Sequence, residues 1–129
     1  MFWIALSALI MSLTGAGDDT FFIRKFLERA RDGVEVEVRD VGRKQAALKT
    51  IGKLEAAFAR HRTRVRKITA CVERADRTYA VTAADYDRCR ADGKAAWDAA
   101  AKEVTALDAE LRSSLTPAEL EAVRLRVVK

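Results

Sequence analysis

The fold of this chain is decided by residues 48–79, which read LKTIGKLEAAFARHRTRVRKITACVERADRTY. Apolar or small side chains recur there at intervals of three or four residues, the spacing that places them on one face of an α-helix. That face consists of Leu48, Ile51, Leu54, Phe58, His61, Val65, Ile68, Val72, Ala75 and Tyr79. The spacing predicts one long helix, which we expect to begin near Val41 behind an N-cap at Asp40.

A second helix with the same spacing is predicted over residues 86–115, and Trp97 is expected to lie in its core. Thr82 and Asp85 form the pattern of a capping box, so the returning helix should start there after a short turn. We therefore predict an antiparallel, coiled-coil-like helical hairpin. The pairs that face each other in the predicted register are Ala75 with Tyr86, Ile68 with Gly93, His61 with Ala100, and Leu54 with Leu107.

Composition favours an all-α fold and one small domain. The chain has 129 residues, of which 50% are hydrophobic and 33% charged, and it contains one proline. A length of this order supports a single modest core. The net charge of +5 would suit an acidic protein, nucleic acid or an anionic lipid surface. Acidic residues are interspersed among the basic ones, however, which is typical of a solvated helix surface and argues against nucleic acid.

Residues 1–17, MFWIALSALIMSLTGAG, carry no charged side chain and predict a hydrophobic helix. Three interpretations compete: a membrane anchor, a cleaved secretory signal, and a helix buried in a partner. A signal peptide normally has basic residues before its apolar segment, and none stands here. As a helix the stretch would be about 24 Å long against a hydrocarbon core of about 30 Å, so a span would be short. We favour a single N-terminal anchor.

An amphipathic helix is predicted over residues 20–32, with Thr20 as N-cap and Gly33 ending it. Residues 34–38 alternate in polarity and predict an extended connector. The apolar face of the helix suits either the headgroup layer of a membrane or packing on the hairpin. The side chains expected to dock in a membrane or a partner are Phe2, Trp3, Ile4, Leu6, Leu9, Ile10, Leu13, Phe21, Phe22 and Phe26.

Cys71 and Cys89 stand at nearly equal distances from the predicted turn and should face each other. We predict a disulfide between them, worth about 3 kcal/mol by the loop-entropy relation, over the alternative of two buried thiols. A disulfide favours an extracytoplasmic hairpin. The arginines that follow residues 1–17, such as Arg24 and Arg29, favour the cytoplasmic face instead. We give the disulfide more weight than the arginines and therefore favour an extracytoplasmic hairpin.

The densest basic patch consists of Arg60, Arg62, Arg64, Arg66, Lys67 and Arg74. These side chains could bind phosphate or lipid headgroups. The preferred alternative is that their stems cover the apolar face and their tips pair across the hairpin with Asp98, Glu103 or Asp108. His61, the one histidine, is expected to pack between the helices, because no ligand stands at metal-binding spacing from it.

A last short helix is predicted from the sequence Leu115 to Leu120. Thr116 would be its N-cap, Pro117 its first residue, and Glu119 the closing member of a capping box. The predicted organisation is thus an anchor helix at 1–17, an amphipathic helix at 20–32, and the hairpin with its C-terminal helix at 40–129.

The sequence contains none of the patterns on which catalysis usually depends. We find no glycine-rich phosphate loop, no metal-ligand spacing and no nucleophile beside a base, so we expect a non-enzyme without cofactor or metal. The function we expect is that of a small membrane-anchored accessory subunit, which contacts lipid and binds other proteins of a membrane complex through its hairpin and N-terminal helix. The alternatives are an exported helical chaperone with a cleaved signal, and a cytoplasmic binder of nucleic acid or anionic lipid.

Overall fold

The computed structural model describes residues 20–78 and 81–128, with side chains from Ile23 onward. Within these residues the chain is all-helical and contains no strand, as the composition predicts. The helices are α1 (Thr20–Glu37), α2 (Val41–Asp76), α3 (Ala83–Ser114) and α4 (Pro117–Val128). Among the described residues, no helix has the length and apolar character needed to cross a membrane. Residues 1–17, on which the anchor prediction rests, lie outside the described part.

Helix α1 is longer than predicted. It continues through Gly33 to Glu37, so the predicted end at Gly33 and the extended connector at 34–38 are both wrong. Val34 and Val38 are fully buried and stand four residues apart, which extends the buried stripe of α1 by another turn. Val36 points outward and is 59% exposed. Val34 and Val38 are thus spaced as on a helix face. The alternation of valine and glutamate over residues 34–38 resembled a strand and led to the wrong prediction.

The helix starts follow the capping residues in the sequence. Asp40 caps α2, since its Oδ1 accepts from the Arg43 amide at 2.8 Å. Thr116 and Glu119 form a reciprocal capping box at α4: the Thr116 amide donates to Glu119 Oε1 at 3.0 Å, and the Glu119 amide donates to Thr116 Oγ1 at 3.2 Å. Both helix starts agree with the sequence prediction.

The cap of α3 forms only one half of the predicted box. The Thr82 amide donates to Asp85 Oδ2 at 2.9 Å. The Thr82 hydroxyl donates to the same oxygen at 3.1 Å, so it does not accept from an amide of the helix. Asp85 therefore provides most of this cap, and these two hydrogen bonds hold the pKa of its carboxyl below the usual value.

The chain divides into two compact units, and α2 and α3 contribute to both. The described residues of the first unit are 20–55 and 106–128. Here α1 packs against α4, and Gly33 permits close approach, because a Cβ built on it would lie 3.3 Å from Val123 Cγ1. The buried apolar residues of the first unit come from all four helices and the residues beside them: Ile23, Leu27, Ala30, Val34, Val38, Ala47, Ile51, Leu54, Leu111, Leu115, Val123 and Val127.

The second unit contains residues 56–78 and 81–105, the remaining parts of α2 and α3. Its contacts run in antiparallel order: Arg60 pairs with Glu103, and Cys71 is bonded to Cys89. The Ile68 side chain lies beside Gly93, as the predicted register requires. The buried residues of this unit are fewer than those of the first and consist of Ala57, Phe58, His61, Ala75, Cys89, Ala100 and Val104.

Two residues of the predicted apolar faces are less buried than expected. Val65 is 38% exposed, and Trp97 is only half-buried. The Trp97 ring lies tilted against His61, with 6.1 Å between the ring centroids. A pair of helices has room for a narrow interior only, so a side chain as large as tryptophan remains at its edge.

Candidate functional site

The predicted disulfide joins α2 to α3 in the second unit. The Cα atoms of Cys71 and Cys89 are 5.9 Å apart, within the normal range for a disulfide. One turn away, Ile68 lies opposite Gly93, where a Cβ would be in ordinary contact with Ile68 Cγ2 at 3.5 Å. The two helices are thus close together at the cysteines and one turn away from them.

Part of the predicted basic patch lines a groove beside this disulfide. The groove has a volume of about 330 Å³. Its lining residues, which together define the basic groove, are Arg64, Lys67, Ile68, Cys71 and Arg74 of α2 and Asp92 and Ala96 of α3. The α2 residues stand at helical intervals of three and four, which places them on one face. The structure therefore brings together three of the six predicted basic residues.

The other predicted basic residues have different surroundings. Arg60 makes an ion pair with Glu103 across the two helices, which is one of the predicted pairings. Arg62 and Arg66 are exposed and do not line the groove. The remaining pairings are wrong: Asp98 pairs with Lys94 at 3.9 Å, and Asp108 pairs with Arg112, each within α3. Helical spacing of three or four residues, which makes such pairs, was visible in the sequence.

The basic side chains of the groove make few polar contacts with the rest of the described chain. Arg74 donates from Nε to the Ala70 carbonyl oxygen of its own helix at 3.3 Å. Among the described carboxylates, none lies within ion-pair distance of Arg64 or Lys67, although Asp92 lines the same groove. The groove is therefore lined by three cations, one carboxylate and the apolar or small residues Ile68, Cys71 and Ala96. That arrangement suits an anionic ligand with an apolar part.

His61 is buried beside this region, with 3% of its surface exposed. Neither ring nitrogen has a hydrogen-bond partner among the described residues. Burial lowers its pKa, and the nearby Arg64 lowers it further, so the ring is neutral at neutral pH. No group of ligating side chains that could hold a metal ion exists in the described part of the chain.

The basic face of α1 is largely occupied within the first unit. Arg31 pairs with Glu55 at 2.6 Å, and Arg29 donates to the Val127 carbonyl oxygen at 3.4 Å. The apolar face of the same helix is buried in the core, at Ile23 and Leu27. Of the two interpretations of α1, the structure thus supports packing within the protein.

The predicted docking residues are described only in part. Phe26 is half-buried in α1. Phe21 and Phe22 belong to the same helix, but the structure describes only their backbone. The remaining docking residues, Phe2, Trp3, Ile4, Leu6, Leu9, Ile10 and Leu13, lie outside the described residues altogether.

Sequence reasoning missed the polar interior of the first unit. Asp108 is 1% exposed and forms an ion pair with Arg112 one turn later. Thr50 is also buried and donates its hydroxyl to the Ala46 carbonyl oxygen at 3.1 Å. The spacing of Asp108 from Leu111 and Leu115, three and seven residues, placed it on the apolar face and was the available signal.

Comparison with known protein families, characterised proteins and solved structures finds no significant match to this chain. Its function must therefore be argued from its own residues.

Proposed function

We propose that this protein is a non-enzymatic, membrane-anchored accessory subunit that binds another protein through the second unit. The observation that carries the proposal is a disulfide-bonded helix pair in which the whole run Arg62 to Lys67 is exposed. The buried residues of this unit are mostly alanine and other small side chains, which stabilise a two-helix unit weakly. A crosslink gives such a unit a fixed surface without a large core.

Several features support a binding role over a chaperone role. A chaperone for unfolded proteins needs a contiguous apolar surface. In the described residues the exposed large apolar side chains are scattered along the chain: Val36, Val41, Val65, Leu125 and Val128. The surface of the second unit is charged instead, which favours a specific partner with complementary charge.

The anchor and the compartment are parts of the same proposal. The apolar residues 1–17 would hold the protein at a membrane or among the helices of a partner. The disulfide supports an extracytoplasmic second unit, because cytoplasmic thiols are normally kept reduced. We also propose that α2 and α3 pack as an antiparallel coiled coil, which the order of their contacts supports.

Site-specific photo-crosslinking in native membranes tests this function. A photoreactive residue is placed at Arg62 or Arg66 in the second unit and, as a control, at the exposed Glu35 in the first. We expect a defined crosslinked partner from the second unit only, in a membrane fraction that resists alkaline carbonate. Release of the protein by carbonate would overturn the anchor. Equal crosslinking from all three positions, or none from the second unit, would overturn the binding role.

The compartment is tested by trapping thiols in intact cells with an alkylating reagent before lysis. Mass spectrometry should show Cys71 and Cys89 unmodified and bonded to each other. Complete alkylation of both cysteines would place the second unit in a reducing compartment.

A further inference from the structure

The basic groove has chemistry that identifies the kind of partner it fits. Its three cations stand on one face of α2, and the ten residue steps from Arg64 to Arg74 cover about 15 Å of helix. A single phosphate or carboxylate is too small to contact both ends. A peptide that carries several carboxylates along its length can reach all three cations.

The floor of the groove adds a second requirement. Ile68, Cys71 and Ala96 give the groove an apolar strip of lining beside the cations of α2 and Asp92 of α3. A ligand that covers this strip must present an apolar side chain between its acidic ones. Asp92 would repel the continuous phosphates of a nucleic acid, whereas a peptide can place an uncharged or basic residue there.

The disulfide also makes the groove a preformed site. Cys71 lines the groove and is bonded to Cys89, which is buried in α3, so the two walls are covalently joined at that point. A site that is already in its binding conformation loses less freedom when the ligand arrives. Cleavage of the bond should therefore weaken binding even where the helices persist.

From these observations we infer that the basic groove binds an acidic segment of a partner protein, with carboxylates spaced along one side and an apolar residue between them. The inference rests on the proposed function and names the chemistry of the partner. The carboxylates contact Arg64, Lys67 and Arg74, and the apolar residue covers Ile68.

The test uses the full-length oxidised protein and a fluorescent peptide of about eleven residues, the length that spans the groove as a helix. Its glutamates stand three or four residues apart on one helical face, with a leucine between them on the same face. A peptide with glutamine in place of each glutamate is the ligand control. The variant Arg64→Glu/Lys67→Glu reverses two groove cations. Arg39→Glu/Lys102→Glu makes the same change of net charge on exposed residues outside the groove and outside the run Arg62 to Lys67. Circular dichroism confirms that both variants keep their helix content.

We expect the acidic peptide to bind and the glutamine peptide not to bind. The groove variant should lose about tenfold in affinity or more, and the control variant about twofold or less at about 0.15 M salt. Reduction of the disulfide should weaken binding by the wild-type protein. Equal losses in the two variants would overturn the inference, because binding would then follow net charge alone.

Two other ligands are measured with the same variants: vesicles containing phosphatidylglycerol and a single-stranded oligonucleotide. Tighter, groove-dependent binding of either one than of the peptide would also overturn the inference. The groove and the proposed function can fail separately. If the photo-crosslinks from position 66 persist in a protein that also carries Arg64→Glu and Lys67→Glu, the partner binds the second unit without the groove, and only the inference fails. If the crosslinks are absent from the otherwise wild-type protein, the proposed function itself fails.

Discussion

At the residue scale, helical glycines differ in what surrounds them. Gly33 faces the backbone and side chain of Val123, whereas a Cβ on Gly52 would have no atom within 4 Å. Gly93 is intermediate, with Ile68 in ordinary contact distance. Identical residues in similar helical positions should therefore respond differently to the same substitution.

Gly33→Leu is expected to lower the free energy of unfolding by about 1–3 kcal/mol, because the new side chain must enter the space filled by Val123. Gly52→Leu is the matched control and should leave stability unchanged or raise it, since leucine favours helix more than glycine does. Urea denaturation of the two variants measures the difference. Equal stabilities would contradict the close approach at Gly33.

The burial of His61 predicts that the stability of the protein depends on pH. Its folded-state pKa lies below the usual value of 6.5, first because of burial and then because of Arg64. The unfolded chain therefore takes up the proton more readily, so stability is complete above about pH 6.5 and is lost as pH falls through the folded pKa. The charged group that acts on it is Arg64 on its own helix, and its neighbour in the chain, Arg60, is paired with Glu103 of α3.

The comparison of wild type with His61→Leu isolates this effect, because the carboxylates that also titrate are common to both proteins. We expect the stability of the wild type to fall more steeply than that of the variant between about pH 7 and pH 5. Urea midpoints at several pH values give the two slopes. Parallel curves would show that His61 is not held neutral by the fold.

At the element scale, the caps of α3 and α4 have similar sequences but different hydrogen bonds. Thr116 Oγ1 accepts from the Glu119 amide, whereas the Thr82 hydroxyl donates to Asp85 and leaves the cap to that carboxylate. Glu119 has a further partner in Arg43 Nε at 2.9 Å, and its pKa is lowered first by the Thr116 amide and then by Arg43. The cap of α4 thus also joins it to α2.

Thr116→Ala should cost about 1 kcal/mol of stability, because it leaves a helix amide without its acceptor. Thr82→Ala removes only a hydrogen bond between two exposed side chains and should cost clearly less. Thermal and urea unfolding measured on both variants give the comparison. A larger loss for Thr82→Ala would contradict the observed caps.

The disulfide is the second feature at this scale. Its two cysteines are separated by 18 residues, a loop for which the chain-entropy relation gives about 3 kcal/mol. The double variant Cys71→Ser/Cys89→Ser should lose about that much stability in urea, and a reducing agent should destabilise the wild type but not the variant. A loss below about 1 kcal/mol would mean that the second unit is held chiefly by its packing.

At the scale of the whole molecule, the two units differ in what stabilises them. The first unit buries branched and large apolar side chains from four helices, such as Ile51, Leu54 and Val123. The second unit buries fewer residues, three of them alanines, beside Phe58 and His61, and we expect it to depend on its crosslink. Burial of larger apolar area gives greater local stability, so the units should open independently.

Hydrogen exchange followed by mass spectrometry checks this difference. Amides in the helices of residues 20–55 and 106–128 should exchange more slowly than those of 56–78 and 81–105. Reduction of the disulfide should accelerate exchange in the second set and leave the first unchanged. Uniform acceleration along the chain would show one cooperative unit instead.

The sequence contained part of the candidate site. The cysteines could be paired because both are tied to the turn by helical spacing. The basic residues could be identified in the sequence, but their partners could not. Only the position of α3 decides that Arg64, Lys67 and Arg74 line a groove with Asp92. It also decides that Arg60 pairs with Glu103. Contacts between helices depend on rotation and approach, which a pattern along one helix does not specify.

By itself, the sequence determined the all-helical class, the starts of α2 and α4, the disulfide and the neighbourhood of Ile68 and Gly93, because capping groups and periodic side chains act over a few residues. The tertiary structure alone decided that α1 passes through Gly33 and packs on α4, that Trp97 remains half-buried, and which arginines line the groove. These outcomes depend on partners distant in the chain, since a glycine ends a helix or permits a close contact according to what packs against it.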